Sequence, residues 1–313
     1  MNSDVIAFNL FGLEFYAYGS YISLGCILAA ILLLVRSGKP QSQKSAAALT
    51  CLLSPIFGLV CARIVYVIFD VSFAPFLNFE NTFNLHTGGL SMFGALTGAM
   101  LAAVIAAKAN GIKASAWLDV CVPSAFLFIA AARFGEGFTT LGISRPLVTD
   151  VLKNTFLAFH DEYDAYLRTY LLEGMTALLL CITSIIYFKR HRQSGYTIMC
   201  GALLFGTTQT LFESLRFDAH LRFSFVGLQQ VLSIFLFSGV LVCLSIYLIK
   251  QKRFTRLAVF TICLLPVELA AILGLEFMID RSQMSKWLSY AMYVVVLAVP
   301  AILGLTLLEK KEV

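Results

Sequence analysis

The stretch ALTCLLSPIFGLVCARIVYVIFD, residues 48–70, decides the fold. It is long enough to cross a hydrocarbon core, which needs ~20 apolar residues. Its one interior charge is Arg63. A cation at such depth costs about 3 kcal/mol or more unless it faces a bundle interior and finds a partner. Eight further windows read the same way: roughly 16–35, 88–107, 116–134, 170–188, 196–215, 226–249, 257–277 and 287–308. Of the 313 residues 59% are hydrophobic and 13% charged, which excludes an ordinary soluble domain. Only an α-helical bundle satisfies the backbone of such runs in lipid, so the reading is an all-α, polytopic membrane protein.

Charges between the windows set an expected orientation. RSGKPQSQK (36–44) follows the first span, and Lys108 and Lys113 follow the third. Lys189, Arg190 and Arg192 follow the fifth, KQKRFTR (250–256) the seventh, and Lys310 and Lys311 the ninth. The alternate segments are poorer: residues 1–15 and 71–87 carry no Lys or Arg. The positive-inside rule then places the N-terminus outside and the C-terminus inside. MNSDVIAF lacks a basic n-region, so the first span is expected to be retained rather than cleaved. The net charge of +5 is mostly this loop bias, and no nucleic-acid partner is implied.

The eight cysteines all fall within apolar windows and form no CxxC, which reads as small core residues. His86, His160, His191 and His220 show no metal-ligand spacing, and neither a metal nor another cofactor is expected. The long polar connection 136–165 reads as an outward, functional or locally folded head. Its run Asp161, Glu162, Asp164 admits a cation site or, better, a solvated acidic face. The Phe- and Asn-rich loop 71–87 reads as interfacial. Residues 1–250 read as one membrane domain and 251–313 as an appended helical hairpin. In that hairpin Pro266 beside Glu268 marks a kink with a buried carboxylate, either proton-coupled or structural.

Depth brings the polar residues together. With the N-terminus outside, Arg63 lies about two turns from the outer end of its helix and Arg133 at the outer end of its own. Glu173, Glu213 and Arg216 fall near the same level, with Gln209 deeper. Glu213 and Arg216, three apart, are expected to share a helix face and pair. Guanidiniums at head-group level suit a phosphate, which they grip through two parallel hydrogen bonds. The alternatives are inter-helix salt bridges or snorkelling ends. In the third span Gly94 and Gly98 form a small-xxx-small pair for close helix approach. Gly88 and Gly89 expose backbone N–H groups that favour an anion.

Several stretches carry a resemblance to the prolipoprotein diacylglyceryl transferase family. They are GGLSMFGALTG (88–98), Leu118-Asp119, ARFGE (132–136), Leu171-Leu172-Glu173-Gly174, FESLR (212–216) and QVLSI (230–234). Arg63 within GLVCARIVYV and Tyr18-Gly19 fit as well. The resemblance runs colinearly over about 10–250 and implies seven spans with an outward head between the fourth and fifth, leaving the last two helices as extras. It implies a bacterial cell-membrane enzyme that moves the diacylglyceryl group of phosphatidylglycerol onto the lipobox cysteine of a preprolipoprotein. It further implies Arg133 as a phosphate clamp and Arg63 as a second positioning cation. Tyr18, Gly88, Gly89 and Gln209 fall on the substrate side, and Glu173, Glu213 and Arg216 orient the site. Asp119, at the inner end of its helix, reads as structural.

The chain departs from that pattern. The family commonly has His at Phe93, Arg at Gln209, Tyr at Phe205 and Asn at Glu136, and Asp164–Thr169 does not match its usual motif. Phe93 cannot take a proton, so the general base is expected to be Glu136 or His86. A non-catalytic relative that binds anionic lipid or lipoprotein is the rival reading. A transporter is supported only by nine spans and Glu268, with no broken-helix pair or inverted repeat behind it.

Overall fold

A backbone buried in apolar surroundings must satisfy its own N–H and C=O groups, and long helices are the result. The computed structural model describes residues 5–69, 89–147, 153–190, 193–217, 222–223, 225–281 and 285–312. Among them lie nine α-helices: α1 (Ala17–Arg36), α2 (Gln41–Phe69), α3 (Met92–Ala109), α4 (Ala114–Gly135), α5 (Thr169–Arg190), α6 (Tyr196–Leu215), α7 (Leu228–Lys250), α8 (Thr255–Arg281) and α9 (Lys286–Glu312). Each expected window overlaps one of them. Eight are long and apolar enough to cross a membrane; α6 is not among the eight. Thr207, Thr208, Gln209, Thr210, Glu213 and Ser214 dilute its second half. Large apolar side chains stay exposed along the helices, among them Ile27, Val35, Leu52, Phe235, Val295 and Ile302. Such a surface needs lipid around it, and the chain is a multi-pass membrane protein.

Short strands add a feature beyond the helical expectation. Strands β1 (Ile6–Leu10) and β2 (Leu13–Tyr16) form an antiparallel hairpin. Its turn residues Phe11 and Gly12 both have left-handed φ, 54° and 80°, the conformation that matches the twist of two tightly joined strands. Strands β3 (Ile143–Pro146), β4 (Ala158–His160) and β5 (Ala165–Arg168) form a sheet in the order β3-β5-β4. The connection after α4 is therefore locally folded. Asp161, Glu162 and Asp164 are exposed at the β4–β5 turn, a solvated acidic face. Strands β6 (Arg222–Phe223) and β7 (Val226–Gly227) pair just before α7. The 71–87 loop, His86, Gly88, His191 and His220 lie outside the described residues.

The chain divides into two compact units: residues 1–19, 132–180 and 199–313, and residues 20–131 and 181–198. In the second, α2 and α3 pack backbone to backbone. A Cβ on Gly94 would stand 2.5 Å from the Cys61 carbonyl, and one on Gly98 would meet the Phe57 carbonyl. The small-xxx-small expectation is met by α2. Ser91 caps α3, accepting from the Gly94 N–H at 3.3 Å. Leu33, Ala46, Ala47, Ala103 and Ala107 pack with Trp117, whose indole N–H donates to Thr50 Oγ1 at 3.1 Å. Asp119 accepts from the backbone N–H groups of Gly195 (2.6 Å) and Ile198 (2.8 Å). It thus satisfies the start of α6, where orphan donors and the helix dipole favour a carboxylate, and its structural assignment holds.

In the first unit the apolar face of α7 repeats at helical spacing through Gln230, Ser233, Phe237, Leu241, Leu244 and Leu248. The matching face of α8 runs through Leu265, Glu268, Ile272, Leu275, Glu276 and Ile279. Gly206 lets the α7 backbone approach α6: a Cβ there would lie 2.9 Å from the Ser233 carbonyl. Gly304 of α9 seats against Leu203 and Leu241. Glu268 is buried, and its Oε1 has no hydrogen-bond partner among the described residues.

Candidate functional site

A buried ion must be paired and hydrogen-bonded, and the first unit meets this demand with one interlocked cluster. Arg133 ends α4, Glu136 opens the single 3-10 turn that follows, Glu173 lies in the first turns of α5, and Gln209 and Glu213 lie near the end of α6. Arg216 is the first residue beyond α6, held by an antiparallel bridge to Ser144. All six side chains are buried, Arg216 to 1% exposure.

The two arginines share two carboxylates. Arg133 Nη1 donates to Glu136 Oε1 at 2.6 Å, and its Nε lies 2.8 Å from Glu173 Oε2. Arg216 Nη2 donates to Glu136 Oε2 and its Nη1 to Glu173 Oε1, both at 3.0 Å. Glu136 and Glu173 therefore each bridge two guanidiniums, a closed ring that fixes all four groups. Gln209 Nε2 extends it, donating to Glu173 Oε2 at 3.1 Å and Glu213 Oε1 at 2.9 Å. Glu213 stands 4.0 Å from Arg133 Nη2. Two guanidiniums thus face three carboxylates.

The expected Glu213–Arg216 pair is replaced by another arrangement. Helix-face spacing holds only inside a helix, and α6 stops at Leu215. Past that point Arg216 follows the β-bridge and forks to Glu136 and Glu173, while Glu213 turns to Gln209 and Arg133. The turn that carries Glu136 is tight. A Cβ on Gly142, which has φ +71°, would come within 2.9 Å of Glu136 Oε2 and 2.6 Å of Tyr170 Cβ. Glycine is needed there on both counts. Tyr18 is half-buried and within electrostatic range of Glu136, Arg133 and Arg216.

Arg63 lies in the second unit and is fully buried. Its Nη1 donates to the Gly89 carbonyl at 3.0 Å, and its Cζ stands 5.9 Å from the Tyr66 ring centroid. Gly89 has φ +78°, and a Cβ there would strike the Tyr66 ring. The Ser91 N–H bonds the Ala62 carbonyl at 3.1 Å. The entry to α3 is thus stitched to α2 at residues 62–63. His86 and Gly88, the other expected site positions of this segment, fall outside the described residues.

A second buried polar cluster was not foreseen. Gln230 of α7 donates through Nε2 to Glu276 Oε1 of α8 and to the Tyr293 hydroxyl of α9 at 2.9 Å. It also approaches the Thr210 carbonyl of α6 at 3.4 Å. The depth argument that singles out Glu268 applies equally to Glu276, eight residues on, and is the signal that could have found it.

Comparison with known proteins adds the following. Residues 5–249 match the family described as prolipoprotein diacylglyceryl transferase. A phosphatidylglycerol–prolipoprotein diacylglyceryl transferase of Clostridioides difficile is 26% identical over 250 residues, covering 80% of this chain and 97% of that protein. One from Bacillus licheniformis is 25% identical over 256 residues, covering 80% and 92%. One from Chloroflexus aggregans reaches 37% identity over 145 residues, covering 45% of this chain and 47% of its own length. Helices α8 and α9 lie beyond the matched residues.

Proposed function

The chain belongs to the prolipoprotein diacylglyceryl transferase family, and from that premise we propose that it transfers the diacylglyceryl group of phosphatidylglycerol to the thiol of a lipobox cysteine in a preprolipoprotein. The match over residues 5–249 carries this reading, and all six residues of the interlocked cluster fall inside it. The bacterial origin of the relatives supports a location in the bacterial cell membrane. Loop charges support an N-terminus outside, with the Arg133 end of α4 at the outer leaflet.

The step balances simply. The cysteine sulfur, as thiolate, bonds to the glyceryl carbon. The bond from that carbon to the phosphate oxygen breaks, and its electron pair leaves with glycerol phosphate. A thiolate is needed because the thiol is a poor nucleophile. The leaving phosphate is stabilised by fixed cations in a site that requires little reorganisation.

In this reading Arg133 is the cation offered to the phosphate, and the carboxylates hold it in place. Glu136, Glu173 and Arg216 form the frame, with Gln209 and Glu213 bracing its α6 side. Tyr18 flanks the head group. Both oxygens of Glu136 accept from guanidiniums, so its role is to hold cations, and proton removal falls to His86. A complementation assay tests the whole. In cells depleted of their own transferase, expression of this chain restores lipidation of a lipobox substrate; correctly inserted protein that cannot do so sinks the catalytic reading.

A second reading has its own support. Phe93 and Gln209 stand where the family resemblance expects a base and a cation, and Arg133 and Arg216 are both engaged by carboxylates. A lipid-binding relative without turnover fits those facts. Phosphatidylglycerol that co-purifies with wild type and is lost from Arg133→Ala, with no lipidation in cells, is its signature.

A further inference from the structure

Helices α8 and α9 lie outside the family match, yet they reach back to the segment that carries the charged cluster. Three contacts converge on residues 210–217. Asp280 Oδ1, near the end of α8, pairs with Arg145 Nη2 of β3 at 2.8 Å, and Arg145 Cζ sits 4.6 Å from the Phe217 ring centroid. The Tyr290 hydroxyl of α9 donates to the Ser214 carbonyl at 3.1 Å. Glu276 and Tyr293 hold Gln230 against the Thr210 carbonyl. Between these points stand Glu213 and Arg216. The end of α6 has lost helical partners for its last carbonyls, and such groups need outside donors. The hairpin supplies one at Ser214. Strand β3 supplies another hold, since the Phe217 N–H bonds the Ile143 carbonyl at 2.9 Å and Ser144 bridges Arg216. Asp280 grips that same strand through Arg145.

We propose that the α8–α9 hairpin is a brace for the end of α6, and that Asp280 and Tyr290 are positioning residues that keep Arg216 and Glu213 in register with Glu136 and Glu173. The hairpin acts through β3 and the Ser214 carbonyl. As a statement about catalysis this rests on the transferase reading. As a statement about order at residues 210–217 it does not.

The test is a charge-swap cycle in the full-length protein in phosphatidylglycerol-containing nanodiscs: Asp280→Arg, Arg145→Asp, and the two together, with Tyr290→Phe as an independent break. Two readouts are taken: turnover of a lipobox peptide, and amide exchange of the peptide spanning 210–217. Asp280→Arg is expected to raise exchange in that peptide by about fivefold, the scale of one partly exposed ion pair turned repulsive. Turnover should fall by a similar factor with KM for the peptide unchanged, and the double swap should recover most of both. Tyr290→Phe should raise exchange at 213–217 by about threefold or more. Unchanged exchange in both Asp280→Arg and Tyr290→Phe overturns the brace, whatever the activity. So does a double swap no better than the worse single variant. Exchange that rises and recovers in a protein without turnover upholds the brace and rejects the transferase reading. Turnover unaffected while exchange rises overturns the positioning role.

Discussion

Two buried polar clusters flank α6, and they are built on different principles. The first gathers Arg133, Arg216, Glu136, Glu173 and Glu213, with Gln209 as its one neutral member. The second gathers Gln230 and Tyr293 around a single carboxylate, Glu276. Charges that hold one another cannot be removed singly, because the remaining ion is stranded without water. A mostly neutral cluster loses only a hydrogen bond. The first cluster lies wholly within the family match, and the second ties the unmatched hairpin to it. The difference separates polar groups locked together by mutual charge from polar groups that tie helices by hydrogen bonds.

The comparison can be broken most sharply at Glu173. Glu173→Gln takes the shared counter-charge from both guanidiniums, and a loss of about 3 kcal/mol is expected, read as a large drop in thermal unfolding temperature in detergent. Gln209→Glu comes next. It sets a fourth carboxylate within about 3 Å of Glu173 and Glu213, and about 2 kcal/mol should be lost. Gln209→Arg runs the opposite way, matching the third carboxylate, and its unfolding temperature should be no lower than wild type. In the second cluster Tyr293→Phe removes one buried hydroxyl and should cost about 1 kcal/mol. Glu276→Gln keeps the shape and some of the hydrogen bonding, so its effect should be smaller still. A Glu276→Gln loss as large as that of Glu173→Gln would erase the distinction between the clusters.

Much of this was legible beforehand for a physical reason. A charge inside an apolar window must be met by another, so Arg63, Arg133, Glu173, Glu213 and Arg216 could be assigned to one level from their positions alone. What failed was the pairing. Arg216 reads as i+3 from Glu213 only if the helix continues, and the backbone leaves the helix at that residue. The β3-β5-β4 sheet was hidden for another reason: strands of three or four residues within a polar loop carry too little periodicity to register. The hairpin looked like an appendage because nothing in its run shows that Asp280 reaches Arg145 or that Glu276 reaches Gln230.

The amino-acid sequence alone determined a multi-span helical membrane protein, its family, and the residues that had to seek buried partners. The energetic penalty of charge and bare backbone in hydrocarbon admits few other solutions. Only the tertiary structure decided who meets whom: two carboxylates each shared by two arginines, and an extra hairpin fastened to the end of α6. Those choices turn on where a helix stops and which way a side chain leaves it, which distances along the chain do not encode.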